Sequence, residues 1–224
     1  MTTRLPRQLG PAALVAVLGL GLPLSGSRAP AQTHGDVAAS AHATPARPEP
    51  QDARSTEVRL RAGGHARASA TSSATCDGCD GLAATVQVVH VRPGGSVDNV
   101  AVAWSTCVGC SARSVALQVV LVTGPSRAGV ALTNRALAVN AACTSCTSEA
   151  VAVQYVVVGG NGQPLSRRLR AELADLATRG TGDPAALREA PTRRGRPSPA
   201  RVVAEALETE QGGTVELRVQ QRSG

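Results

Sequence analysis

The chain of 224 residues contains no lysine, phenylalanine or isoleucine, and Trp104 and Tyr155 are its only Trp and Tyr. The aromatic deficit excludes the modules that read single-stranded nucleic acid by stacking bases on several rings. It also removes the aromatic anchors on which large protein interfaces depend. All 23 basic residues are arginine, and the abundance of Ala, Arg, Gly and Pro is the coding signature of a GC-rich genome. The formal net charge of +7 does not describe one basic surface. Residues 1–31 hold +3, 32–75 hold +1, 76–159 hold zero and 160–224 hold +3. A specific nucleic-acid partner is therefore not expected, and only weak contact with anionic cell-envelope polymers is. What the chain does have is six cysteines and many valines and alanines.

Residues 1–31 read as a secretory signal peptide. Arg4 and Arg7 form a basic start, residues 11–24 (PAALVAVLGLGLPL) are an apolar stretch too short to span a bilayer, and Ala29-Pro30-Ala31 is an A-x-A cleavage site. No later run is long and apolar enough for a transmembrane segment. The expectation is a secreted protein, extracellular or cell-wall associated, whose cysteines meet an oxidising compartment.

Residues 32–55 are rich in Ala, Pro and His, with almost no large apolar side chain, so a disordered linker is expected there. Residues 56–159 form the expected β-rich domain. It opens with TEVRLR at 56–61, which alternates as a half-buried strand does. From residue 68 the chain repeats. Three CxxC pairs occur, Cys76/Cys79, Cys107/Cys110 and Cys143/Cys146, spaced by 31 and then 36 residues. A glutamine follows the first cysteine of each pair by 11 residues, at Gln87, Gln118 and Gln154, within TVQVVHV, ALQVVLV and AVQYVVV. Ahead of the second and third pairs stand NVAVAW (99–104) and NRALAV (134–139). The unit is a short strand, a CxxC corner, a Val-rich strand and a loop, and such periodic self-similarity marks a repeat architecture.

Valine is β-branched and fits the extended pleat. One face of the long strands carries Val86, Leu117 and Val153, and the other carries the three glutamines. A buried glutamine must satisfy its amide. In-register stacking does so, because each amide bonds the next; a one-sided sheet would instead leave the amides in solvent. Two architectures fit: three rungs stacked as a short β-solenoid, or three hairpins in an antiparallel meander or sandwich. The short connections favour the hairpins. Runs such as ALQVVLV also carry a steric-zipper composition, though an ordinary buried strand accounts for them.

Residues 160–224 form a helical tail. Ser166 caps a helix with the stripe Leu169, Leu173, Leu176 and Ala177. Asp183-Pro184 and Ser198-Pro199 each pair an N-cap with proline at the first helical position. Residues 191–197 read as a basic linker. TVELRVQ (214–220) alternates as a final strand, with TEVRLR as its expected partner.

The six cysteines are the candidate site. As disulfides, Cys76, Cys79, Cys107, Cys110, Cys143 and Cys146 would staple a domain poor in large core side chains, and sequence leaves open whether each pair closes locally or bridges repeats. The same residues could hold zinc, since two CxxC knuckles make a four-thiolate site, with His90 as a further donor. Thiol-redox chemistry is the third use, weakened because a strand pattern, not a helix, follows each CxxC. Asp80, Ser111 and Thr147 stand where a c-type haem needs histidine, which excludes haem. No acid/base pair, triad or phosphate cradle stands out, so no catalytic residue is assigned.

The CxxC pairs with NVAVAW, ALAVNAAC (136–143) and the VQVV-type runs resemble a group of secreted CxxC-repeat proteins of unassigned function from high-GC actinobacteria, over about residues 68–180. The resemblance implies export and CxxC repeats and carries no activity. The function expected is a non-enzymatic, disulfide-stapled β-repeat protein with a structural or binding role at the cell surface; the alternative is a metal-binding or thiol-redox protein.

Overall fold

Short Ala-rich and Val-rich segments alternate along the described chain, residues 32–187 and 197–224 of a computed structural model, and each becomes a strand. The expected signal at 1–31 and most of the expected basic linker at 191–197 lie outside the described residues. The strands are β1 (Gln32–Ala43), β2 (Gln51–Ala74), β3 (Asp80–Val91), β4 (Ser96–Ser105), β5 (Ser111–Val122), β6 (Ala131–Asn140), β7 (Thr147–Val158) and β8 (Thr214–Ser223). Helices α1 (Arg167–Gly182) and α2 (Pro199–Gln211) flank a 3-10 turn at Pro184–Leu187.

The repeats stack as rungs of a parallel β-solenoid, and the hairpin arrangement is not adopted. Strands β1, the second half of β2, β4 and β6 make one sheet; the first half of β2, β3, β5 and β7 make the other. All of these pairs are parallel. A parallel neighbour needs a long crossover, and here the crossover is a strand of the facing sheet. The short connection from β3 to β4 is thus a bend between sheets and not a hairpin turn.

Two further expectations are corrected. Residues 32–55 are not a disordered linker: β1 and the start of β2 form a first rung without cysteine, in register with the next. The absence of large apolar residues misled, because β1 faces the interior with Gly35, Ala39, Ala41 and Ala43, where small side chains are what the gap admits. The terminal strand β8 does not pair with TEVRLR, which joins β3. β8 lies antiparallel on β7, at the opposite end of the stack.

The interior between the sheets tapers. Near the cysteine corner it holds Ala70, Ala74, Ala101, Ala103, Ala116 and Ala152 with the cystines. At the far turn it widens to Val58, Leu60, Val89, Val91, Val97, Val120 and Val156. Between these lies a polar layer. Gln87, Gln118 and Gln154 are each 0% exposed. Gln154 Nε2 donates to Gln118 Oε1 at 2.9 Å, and Gln118 Nε2 to Gln87 Oε1 at 2.7 Å. Gln87 Nε2 donates to the Gly35 carbonyl of the first rung at 2.8 Å. Each amide also donates across the interior, to the carbonyls of Arg67, Asp98 and Thr133 in turn. Asn99 and Asn134 answer from the facing sheet: Asn99 Nδ2 donates to the Ala116 carbonyl and to Asn134 Oδ1, and Asn134 Nδ2 to the Ala152 carbonyl. The side-chain amide donors are therefore paired both along and across the stack, as burial demands, while the acceptors Gln154 Oε1 and Asn99 Oδ1 have no partner among the described residues.

The second sheet is buried on both faces. Its outer face, with Val88, Val119, Leu117, Val153 and Tyr155, receives Leu169, Leu173 and Leu176 of α1 and Val203, Ala204 and Leu207 of α2. Both helices start as the sequence predicts, with Ser166 and Ser198 accepting from the amides of Leu169 and Arg201. Tyr155 is fully buried and donates to the Ala200 carbonyl at 3.1 Å, tying α2 to the sheet. ALQVVLV is an ordinary central strand, paired on both sides.

The ladder gives an ordered prediction. Within the ladder, Gln118→Leu leaves Gln87 Oε1 and one donor of Gln154 without partners, whereas Gln154→Leu leaves Gln118 Oε1; each change also removes one bond to a facing carbonyl, at Asp98 and Thr133 respectively. Urea denaturation is expected to show a loss of about 2–5 kcal/mol for Gln118→Leu and a smaller loss for Gln154→Leu, at about 1–3 kcal/mol per buried unpaired group. Equal losses would place the amides in solvent.

Candidate functional site

Each CxxC forms the corner between a short strand and the long strand that follows, and the corners stack with the rungs. Gly78 N donates to the Val108 carbonyl and Gly109 N to the Thr144 carbonyl, both at 2.9 Å. Asp77 Oδ1 accepts from Val108 N at 2.8 Å, so this carboxylate serves the corner above it. The first rung has no cysteine here. Its corner runs through Pro45, Pro48 and Pro50, and the ladder continues from Asp80 N to the Pro48 carbonyl.

All three pairs close locally, Cys76–Cys79, Cys107–Cys110 and Cys143–Cys146, with Cα separations of 5.4, 5.9 and 5.9 Å. No cysteine is free. Local closure limits what each bond contributes. A ring of four residues constrains the unfolded chain by about 2 kcal/mol, against roughly 4 for a bridge between rungs. The cystines therefore shape the corner more than they restrict the topology.

They form a column on the Ala-rich end of the interior. Cys79, Cys107 and Cys110 are buried, while Cys76, Cys143 and Cys146 are half-buried. Cys107 Sγ lies 3.1 Å from the Ala74 carbonyl, and Cys143 Sγ 3.0 Å from the Cys107 carbonyl. Neighbouring pairs touch: Cys110 Sγ and Cys146 Sγ are 3.4 Å apart. The Sγ atoms of Cys107, Cys110 and Cys146 all lie within 4.8 Å of one another. Two of those three share a disulfide, so this trio could bind a soft metal only after reduction.

His90 is not part of this site. It stands eleven residues along the strand direction from Cys79, roughly 35 Å at about 3.3 Å per residue. Strands begin directly after each pair, at Asp80, Ser111 and Thr147, so no helix N-terminus is present to depress a thiol pKa.

The cluster that sequence reasoning missed surrounds His90. Its Nδ1 lies 3.2 Å from Arg59 Nη1, and since a guanidinium only donates, Nδ1 accepts and Nε2 carries the proton. Nε2 then donates to Glu57 Oε1 at 2.9 Å, while Arg170 Nη1 of α1 donates to Glu57 Oε2 at 2.9 Å. The hydrogen bond from His90, joined by that from Arg170, holds the Glu57 carboxyl below its usual range against the opposing effect of burial. The signal was present: the 31-residue period puts residue 59 beneath residue 90.

Among the described residues no helix is long and apolar enough to cross a membrane. Comparison with known protein families, curated proteins and solved structures finds no match to this chain.

Two predictions follow from these geometries. In the first two corners the third residue is Gly78 or Gly109, with φ of 68° and 62°; in the third corner Ser145 adopts φ 56°. A left-handed residue with a side chain costs about 1–2 kcal/mol, offset in part by the greater freedom of glycine in the unfolded chain. Ser145→Gly is expected to raise the denaturation midpoint, and an unchanged or lower midpoint would contradict this corner geometry. The depressed carboxyl of Glu57 contributes stability that is present above the unfolded carboxylate pKa and is lost as pH falls through the folded one. Glu57→Gln should therefore flatten the acid limb of a stability-versus-pH curve, while an unaltered limb would place Glu57 in solvent.

Proposed function

We propose that this is an exported, non-enzymatic β-solenoid with a structural or binding role at the cell surface, of the kind its CxxC-repeat resemblance implies. The observation that supports this most is the column of three locally closed cystines on one corner. Disulfides persist in oxidising compartments. Here they close the end of the interior that is otherwise filled by alanine. The protein would offer its rigid faces as a scaffold and make weak contact with anionic envelope polymers.

A second reading rests on the sulfur contact between neighbouring pairs. Reduction by an external dithiol would expose a zinc-type thiolate cluster of Cys107, Cys110 and Cys146, or allow the Cys146 thiolate to attack Cys110 Sγ and release Cys107 as a thiolate.

Intact mass and metal analysis of protein purified from the oxidising side separates these. The structural reading predicts a mass short of the fully reduced chain by six hydrogens, with no bound metal and each bond mapping within one CxxC. Free thiols with stoichiometric zinc would overturn it. In a Cys143→Ser variant the structural reading leaves Cys146 as a thiol; recovery of a Cys110–Cys146 bond with Cys107 free would establish exchange.

A further inference from the structure

The loop from β7 to α1 carries the only Asn-Gly step of the chain, Asn161-Gly162. Asn161 is exposed, yet it holds two elements together. Its Nδ2 donates to the Glu210 carbonyl at 3.0 Å, and its backbone N donates to the Gln211 carbonyl at 2.8 Å. These are the last two carbonyls of α2, and a helix end leaves such groups without intrahelical partners. Asn161 is therefore a cap for α2 supplied by a distant part of the chain. Gln211 Nε2 adds a bond back to the Gln163 carbonyl at 3.2 Å.

Attack of Gly162 N on Asn161 Cγ closes a succinimide ring, and little in this loop obstructs it. Gly162 has no side chain, and no atom beyond the adjoining residues lies within 4 Å of where a Cβ would stand. Gly162 N donates to no acceptor among the described residues. Gln163 N already donates to Asn161 Oδ1 at 2.8 Å. That oxygen is where negative charge develops as Cγ becomes tetrahedral, and a donor placed there beforehand favours the reaction.

We infer that Asn161-Gly162 is a self-modification site whose reaction uncaps α2. The bond from Gly162 N to Asn161 Cγ forms, the Cγ–Nδ2 bond breaks, and Nδ2 leaves as ammonia with the proton of Gly162 N. Water then cleaves one of the two ring bonds to Gly162 N and yields aspartate or isoaspartate. Either product has a carboxylate where an amide donated. The Glu210 carbonyl loses its donor, and a negative charge faces the negative end of the α2 dipole. The reaction consumes only water and proceeds whatever the role of the protein at the cell surface.

Incubation of the intact oxidised protein in mildly alkaline buffer, followed by peptide mapping by mass and by isoaspartate-specific methylation, tests this. The free peptide VGGNGQPL (158–165) is the reference. Asn161 is expected to convert in the folded protein, while Asn99, Asn134 and Asn140, none followed by glycine, keep their amides. Asn161→Gln, which would have to close a larger ring, should not convert. Hydrogen exchange on the converted form, separated by its added charge, reads the cap. Amides in the last turn of α2 should exchange about fivefold faster or more, through one lost hydrogen bond and one misplaced charge. Asn161→Asp should reproduce that change. An Asn161 amide that survives in the folded protein while the peptide converts would overturn the inference, as would unchanged exchange in α2 after conversion.

Discussion

The in-register stacking of side-chain amides is the interaction on which the rest of this structure depends. A glutamine in an apolar layer is destabilising unless both its donor and its acceptor are met. The rung spacing of a parallel sheet places the next glutamine at hydrogen-bonding distance, so Gln154, Gln118 and Gln87 answer one another. This fixes the register, because a one-residue slip would turn every amide outward and bring the opposite face in. With the register fixed, alanine stacks on alanine, valine on valine and corner on corner. The taper of the interior and the cystine column both follow from that single alignment.

Stacked sheets have open ends, and this one closes them unequally. β8 extends the second sheet past β7, and its positions in register with the interior residues of β7 are Thr214, Glu216, Arg218, Gln220 and Arg222. A charged and polar strand over the end of an apolar stack is how solenoids avoid growing. The first sheet ends at β6, where Leu137 and Val139 are exposed and Arg135 supplies a charge on the edge strand. Such a charge blunts edge-to-edge pairing.

Much of this was legible. The three CxxC pairs, the glutamine spacing and the valine runs gave the repeat, and Ser166 and Ser198 marked where the helices start. The choice between hairpins and rungs was not legible. Short connections such as the one after Val91 serve either, and alternation alone does not say whether Gln118 faces solvent or another amide. The first rung was hidden because β1 has no cysteine and no large apolar residue. Its alanines read as a low-complexity segment, yet VAASAHA (37–43) lies 31 residues before ASATSSA (68–74), and the period alone would have found it. The partner of β8 was not legible, since a strict alternation names no neighbour. The cluster of Glu57, Arg59 and His90 was missed for a related reason: it exists only once residues 31 apart are known to stack.

The central claim is that the three glutamines form one inward-facing ladder between parallel rungs. Side-chain amide resonances test it most directly. In the oxidised protein, the Nε2 hydrogens of Gln87, Gln118 and Gln154 should exchange slowly with solvent and show cross-relaxation from Gln154 to Gln118 and from Gln118 to Gln87. Fast exchange at solvent rates, or protected amides without those contacts, would contradict the parallel stack.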